Sequence, residues 1–404
     1  MKKSTLSSLG LFLTLAVVGS AQADSLPTRA EMWEMLQRQN QEIQALKARL
    51  NQSEKKVDKA VAQVESSTES HSGGGMKWSD RINISGSVAV QATSGDSYTG
   101  VDSSDITVAT AELAIDTQIN DWVSTNITLL YEEDDTALTV DSATITLANP
   151  EKSPFSFTFG SMGLPFGGYA TNLLSDPLTQ SLGETAETAA LISVSGGGLT
   201  ASAYGFNGSA QTGENVIDQF GFSLGYAGES GPATLDIGAG WINSLEDSDT
   251  IGGLLPNNIG NMINHISGGE IHGILGFKGF TLIGEYVTAL EDFDMTELTW
   301  NGNKARPSAW TAEIGYTFMM AEKETTIAVG YQESDEALGL GLPEKTILGG
   351  ISVGIFENTT LAFEWKHDKD YGTSDSTRVD NAAAATTGTG KKKDMATLKL
   401  TVDF

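Results

Sequence analysis

The sequence predicts an all-β transmembrane barrel of about sixteen antiparallel strands, preceded by a short α-helical coiled coil. Three observations carry this. The final stretch, Asp394 to Phe404, alternates strictly. Ala396, Leu398, Leu400, Val402 and Phe404 fall on one face, and Met395, Thr397, Lys399, Thr401 and Asp403 on the other. Such a strand is about one membrane thickness long and apolar on one side, which suits a closing strand whose Phe404 sits at a membrane face. A soluble sandwich strand is the alternative for this stretch taken alone. Secondly, the connections between strand candidates alternate short and long, as antiparallel membrane barrels do. Thirdly, beyond the N-terminal segment no apolar run is long enough for a transmembrane helix, while Gly is abundant (45) and Pro scarce (9).

Residues 1–23 read as a secretory signal. Lys2 and Lys3 form its charged start, Leu9 to Val18 its apolar run, and Ala21-Gln22-Ala23 its small-residue cleavage site. No Cys follows, which excludes a lipid anchor, disulfides, thiolate metal sites and Cys nucleophiles. Residues 24–66 repeat apolar side chains every seven positions (Leu36, Ile43, Leu50, Val57, Val64), with Met32, Leu46 and Ala60 at the second apolar position. That spacing predicts a left-handed coiled coil, and hence a homo-oligomer, with a lone amphipathic helix as the alternative. Residues 67–76, rich in Ser and Gly, read as a flexible linker, and 77–404 as the barrel.

Charge is uneven. The chain has 24 basic and 52 acidic residues, and 15 and 44 of these fall in 73–404, a net of −29 there. Nucleic acid is excluded as a partner for such a surface, and cation preference is expected if acids line a pore.

Strand candidates run over 81–91, 106–119, 122–131, 136–147, 155–160, 186–194, 199–206 and 216–226, then 233–241, 266–277, 280–289, 308–319, 325–331, 345–355, 359–367 and 394–404. Outward sets are plain in Phe155, Phe157 and Phe159, in Phe220, Phe222, Leu224 and Tyr226, and in Leu361, Phe363 and Trp365. If these meet lipid, the alternate positions line the lumen, among them Glu112, Asp116, Asp236, Glu285, Glu313 and Glu364, with Arg81, Lys366 and Lys399 as the minority cations. Those acids either attract cations to a water-filled pore or simply pair with neighbours along the wall.

Segment 161–185 is the candidate constriction. It mixes turn residues with the bulky Met162, Leu164, Phe166 and Tyr169, and Ser175 or Asp176 is placed to cap a short helix begun by Pro177. Folding into the lumen would hide its apolar surface; an outer cap or a protomer contact would do so too. No catalytic constellation is visible, which argues against an enzyme, and no cofactor is implied. His71, His265, His272 and His367 are too dispersed for a metal or acid–base pair; His265 and His272, seven apart on a strand-like stretch, are expected on opposite sides. The clusters Glu132–Asp135, Glu246-Asp247-Asp249 and Glu291-Asp292-Asp294 read as solvated loops, with divalent-ion binding as the alternative.

The run Gly160-Ser161-Met162-Gly163-Leu164-Pro165-Phe166-Gly167, then Thr171 to Thr179 with its Ser175-Asp176-Pro177-Leu178-Thr179, and then Leu182-Gly183-Glu184-Thr185, resembles the loop signature of the LbtU family of outer-membrane siderophore porins. The order of signal, short coiled coil and barrel resembles it too. The resemblance marks Pro165, Phe166, Gly167, Asp176, Pro177, Gly183 and Glu184 as signature positions and implies passage of an iron–siderophore complex across the bacterial outer membrane, with the N-terminal helix in the periplasm. Residues 24–76 are too few for a globular plug, so passage would be passive. The acidity resists an anionic ferric chelate unless cations gather at one place. Two alternatives stand beside this reading: a general cation-selective porin for small nutrients, and an envelope tether acting through the coiled coil.

Overall fold

The computed structural model describes residues 81–212, 216–255, 262–380 and 384–404. The expected signal, coiled coil and linker of 1–76 lie outside the described residues.

Sixteen strands close into an antiparallel barrel. Its first half comprises β1 (Ile82–Asp96), β2 (Asp102–Gln118), β3 (Val123–Tyr131), β4 (Thr139–Ala148), β5 (Phe155–Gly163), β6 (Ala186–Gly196), β7 (Leu199–Phe206) and β8 (Gln219–Ser230). The second comprises β9 (Ala233–Ile242), β10 (Gly268–Phe277), β11 (Phe280–Ala289), β14 (Ser308–Met320), β15 (Lys323–Asp335), β16 (Lys345–Phe356), β17 (Thr359–Lys369) and β20 (Lys392–Asp403). Each expected strand overlaps one of these. β20 pairs with both β17 and β1, which closes the ring. Phe404 continues the pairing: it and Gly86 exchange main-chain hydrogen bonds at 3.0 Å in both directions.

Alternation explains the two faces. Leu282 and Tyr286 of β11 point outward and are exposed, whereas Ile283, Glu285, Val287 and Ala289 are buried. On β8, Phe220, Phe222, Leu224 and Tyr226 are all exposed, and Phe363 and Trp365 repeat this on β17. A band of exposed Ile, Leu, Val and aromatic side chains around a closed ring has no edge strand to protect and suits a lipid environment. Among the described residues no helix is long and apolar enough to cross a membrane.

One end of the barrel carries tight turns. Lys278 and Gly279 join β10 to β11, both at positive φ (49° and 86°), as a two-residue hairpin of matching twist requires. The other end carries the long connections, and these are not plain loops. Segments 290–307 and 370–391 build a small sheet from β12 (Leu298–Trp300), β13 (Asn303–Lys304), β18 (Ser376–Val379) and β19 (Thr386–Thr387). Strands of two to four residues leave no alternation to read in a sequence.

The apolar core lies inside the barrel. Phe166, Leu178 and Leu182 of segment 164–185 pack with Tyr204, Phe206, Leu245, Val287, Phe293 and Leu298. Helix α1 (Leu178–Gly183) and helix α2 (Asp249–Leu254) belong to this packed mass. In the acidic cluster Glu246-Asp247-Asp249 the first two acids are therefore not solvated, and Asp249 alone is exposed. Glu246 and Asp247 are buried. Glu246 accepts the Ile266 N–H at 2.9 Å and pairs with His265 at 2.7 Å. Asp247 accepts the Ala210 N–H and the Ser244 hydroxyl. Carboxylates facing loop main chain satisfy buried donors that water cannot reach.

Candidate functional site

Segment 164–185 leaves β5, crosses the lumen and returns to β6. In a ring of sixteen, β15 stands eight strands from β5, on the opposite wall. Gln332 of β15 accepts the N–H of Leu178 at 3.0 Å, so the segment reaches that wall. The expected side-chain cap by Ser175 or Asp176 does not form. Pro177 is the N-cap residue and no side-chain bond caps the helix. Ser175 is engaged elsewhere, and a side chain from the opposite wall takes the capping role.

Three glutamates on inward positions of β11, β14 and β17 hold the segment down. Glu285 of β11 accepts the N–H of Gly168 at 2.7 Å, that of Tyr169 at 3.3 Å and the Thr179 hydroxyl at 2.6 Å. Glu313 of β14 accepts the Thr171 hydroxyl at 2.6 Å and the Asn172 main-chain and side-chain N–H groups, both at 2.7 Å. Glu364 of β17 accepts the Leu174 N–H at 2.6 Å, the Ser175 N–H at 3.1 Å and the Ser175 hydroxyl at 2.5 Å. A non-helical strip inside a barrel must have its main-chain donors satisfied, and charge-assisted bonds do this most strongly. Glycines make the close approach possible. A Cβ on Gly315 would lie 2.8 Å from the Asn172 amide, and one on Gly330 or Gly350 would lie 3.0 or 2.8 Å from the Leu173 methyls.

These positions divide the residues expected to line the pore. Glu285, Glu313 and Glu364 face inward but are buried beneath the segment. They are anchors, not free pore charges. Asp116 is exposed and takes a hydrogen bond from Asn126 at 2.9 Å; Glu112 is half-buried and Asp236 exposed. The signature positions divide as well. Phe166 (1% exposed), Pro177 and Gly183 are packed, and Pro165 and Gly167 are half-buried. Asp176 and Glu184 face water.

Opposite the packed side, the wall of β1 to β4 is hydroxyl- and amide-rich. Arg81, Asn83, Asp116, Ser124, Asn126, Thr144 and Thr146 line a cavity of about 410 Å³ there. Between this wall and the segment, Lys366 of β17 and Lys399 of β20 stand on inward positions. They are the cations whose field reaches Asp176, with Glu364 the neighbouring anion. An acid on the segment and two lysines on adjacent strands thus stand within one another's field inside the ring, and Lys366 also lies 3.9 Å from the Asp368 carboxylate.

At the loop end, His265 is not on a strand, contrary to expectation. It precedes β10, and Glu246 and Asp218 lie 2.7 and 3.4 Å from its two ring nitrogens. Its hydrogen bond to the Glu246 carboxylate holds its pKa above the ordinary value, against burial. His272 does lie on β10. It meets Glu270 two residues before it and Glu285 on the paired strand, and the donor atoms of the three lie within 4.8 Å of one another. No motif announces this group. Counting pairs back from the turn at Lys278-Gly279 puts His272 opposite Glu285, which is the signal that reveals it.

No protein-family model matches the sequence. The chain is 30% identical over 356 residues to UPF0422 protein lpl2888 of Legionella pneumophila (strain Lens) and 31% identical over 301 residues to a UPF0422 protein of Coxiella burnetii. Its homologues are UPF0422 proteins. The matches cover 80% and 72% of this chain but 66% and 65% of those two relatives, so the chain spans just under two thirds of their length. Among solved structures the barrel is similar to an anion-selective porin from Comamonas acidovorans (TM-score 0.55, 12% identity, 80% of this chain and 99% of that one). It is also similar to OprB of Pseudomonas putida (0.56, 7%, 81% and 95%) and to OmpF of Salmonella typhi (0.51, 12%, 80% and 97%). At these identities the likeness is one of fold: a porin-like barrel, which points to the bacterial outer membrane.

Proposed function

We propose that the chain is a passive outer-membrane channel, narrowed by segment 164–185, that admits iron–siderophore complexes to the periplasm. One observation supports the solute class most. The lumen's acids are not spread evenly around the passage. Glu285, Glu313 and Glu364 are covered by the segment, while Lys366 and Lys399 hold inward positions on neighbouring strands within reach of Asp176. A cationic arc of this kind can receive an anionic ferric chelate although the chain as a whole is acidic, because close charges outweigh distant, screened ones. The stretch that resembles the loop signature of siderophore porins lies in the same segment.

The testing experiment is conductance of the refolded chain in planar bilayers, with and without ferric siderophores. Open channels blocked by a ferric siderophore, and not by its iron-free form, are the expected result. Channels indifferent to every siderophore and selective for cations would support the second reading, a general cation-selective nutrient porin, which Glu112, Asp116 and Asp236 favour. The heptads of 24–66 would join copies of the channel, and crosslinking of the full chain against one lacking 24–66 checks that. Envelope fragility in the same deletion, with conductance unchanged, would support the tether.

A further inference from the structure

We propose that Glu270, His272 and Glu285 form a binding site for one divalent transition metal of the zinc class, set in the inner wall beneath segment 164–185. The Glu270 carboxylate and the His272 Nδ1 are 2.9 Å apart, and the donor atoms of all three residues lie within 4.8 Å of one another. Ligands to one zinc-sized ion at about 2.0–2.2 Å stand about 3–4 Å from each other, so small side-chain movements bring the three onto it.

Charge supplies an independent reason. Both carboxylates are buried, at 4% and 6% exposure. Among the described residues no Lys or Arg lies within ion-pair distance of either; His272 is the single cationic partner. All of Glu285's hydrogen-bond donors from the segment are neutral: two main-chain N–H groups and the Thr179 hydroxyl. Two buried carboxylates thus share one imidazole, and a buried charge without a counter-charge is costly. A divalent ion removes the deficit. The donor set, one nitrogen with two carboxylates, suits zinc, cobalt or nickel. Calcium and magnesium prefer an all-oxygen shell.

The surroundings hold the ligands in place. Gly168, Tyr169 and Thr179 orient Glu285 from the segment, as outer-shell donors do in metal sites. On the flanking strand β9, a Cβ at Gly238 would lie 2.3 Å from the His272 ring and one at Gly240 would lie 2.7 Å from the Glu270 carboxylate. Glycine at both positions leaves the space to the ligands. A bound ion would tie the wall to the Gly168–Tyr169 turn, whichever solute the channel passes.

The test uses the full chain, refolded, stripped by chelator and titrated with Co²⁺, whose visible absorption reports nitrogen and oxygen ligation. One saturable Co²⁺ per chain, displaced by Zn²⁺, is expected. His272→Gln should weaken it by more than about tenfold, and His265→Gln should leave it unchanged. Absence of a saturable site, or full affinity in His272→Gln, overturns the proposal. If His272→Gln fails to fold, copper–ascorbate oxidation of the unaltered protein decides. Oxidation mapped to the peptide holding His272 supports the site, and oxidation confined to the other histidines overturns it.

Discussion

Glu364 on β17 accepts the hydroxyl of Ser175, 189 residues away in sequence, together with the main-chain N–H groups of Leu174 and Ser175. This is the far end of the segment's path across the lumen. Glu364→Ala should leave those donors facing a gap. It should cost about 1.5–3 kcal/mol in urea unfolding and give larger, noisier single-channel currents. Glu364→Gln, which keeps the shape and one acceptor, should lose less. Wild-type conductance and stability in Glu364→Ala would mean that the anchor does not hold the segment.

Gly160 sets the approach to that path. Its φ is +131°, and a Cβ there would lie 2.0 Å from the Ala143 carbonyl oxygen on the paired strand. Main chain cannot retreat as a side chain can. Gly160→Ala should therefore combine backbone strain of about 1–3 kcal/mol with a clash inside the β4–β5 pair. The expected readout is a sharp loss of correctly folded barrel in refolding, followed by the mobility shift of the unheated band.

The strand ring was legible because lipid on one side and lumen on the other impose a period of two, and because tight turns such as Lys278-Gly279 fix register. The inward direction of Glu285, Glu313 and Glu364 followed from the same alternation. Their role did not, since their partners, main-chain N–H groups and the short polar side chains of Thr171, Asn172, Ser175 and Thr179, lie more than 100 residues away in the sequence. For the same reason the sequence offers Ser175 or Asp176 as a helix cap although the Ser175 hydroxyl goes to Glu364, and offers 246–249 as a solvated loop although Glu246 and Asp247 bind loop main chain. Acidic residues in a loop look alike in a sequence whether they face water or amide groups.

The pair His265–Glu246 makes anchorage of residues 243–255 and 262–267 depend on pH. The hydrogen bond to Glu246 raises the His265 pKa above 6.5, and burial raises that of Glu246 above 4.5. Asp218 and Asp247 also act on His265 and favour its protonated form. A histidine whose folded pKa is raised adds stability that is fully present below its unfolded value and lost as pH climbs through the folded one. A carboxyl raised by burial loses stability in the same direction. Protection factors from hydrogen exchange across 243–255, with the intrinsic rise of exchange with pH divided out, should thus be lower at about pH 9 than at about pH 6. His265→Gln should remove the part of that dependence above about pH 6.5. A flat profile in the unaltered chain would show that the pair does not hold the segment.

If the proposed passage runs beside Lys366, Lys399 and Asp176, selectivity should follow from these three charges. At separations of about 8–10 Å in a water-filled but partly low-dielectric lumen, one charge alters the energy of a passing ion by about 1 kcal/mol, or about fivefold in occupancy. The double change Lys366→Gln, Lys399→Gln should weaken block by an anionic ferric chelate by about tenfold or more and move the reversal potential in a salt gradient toward cations. Asp176→Asn should do the opposite, strengthening block and moving the potential toward anions, since it removes the acid facing the two lysines. Both effects should shrink in 1 M salt, where screening is shortest. Removing Glu313, already covered by Thr171 and Asn172, should alter conductance through movement of the segment without this signed pattern. Equal shifts in one direction from the lysine and the aspartate changes would mean that the passage runs elsewhere in the lumen.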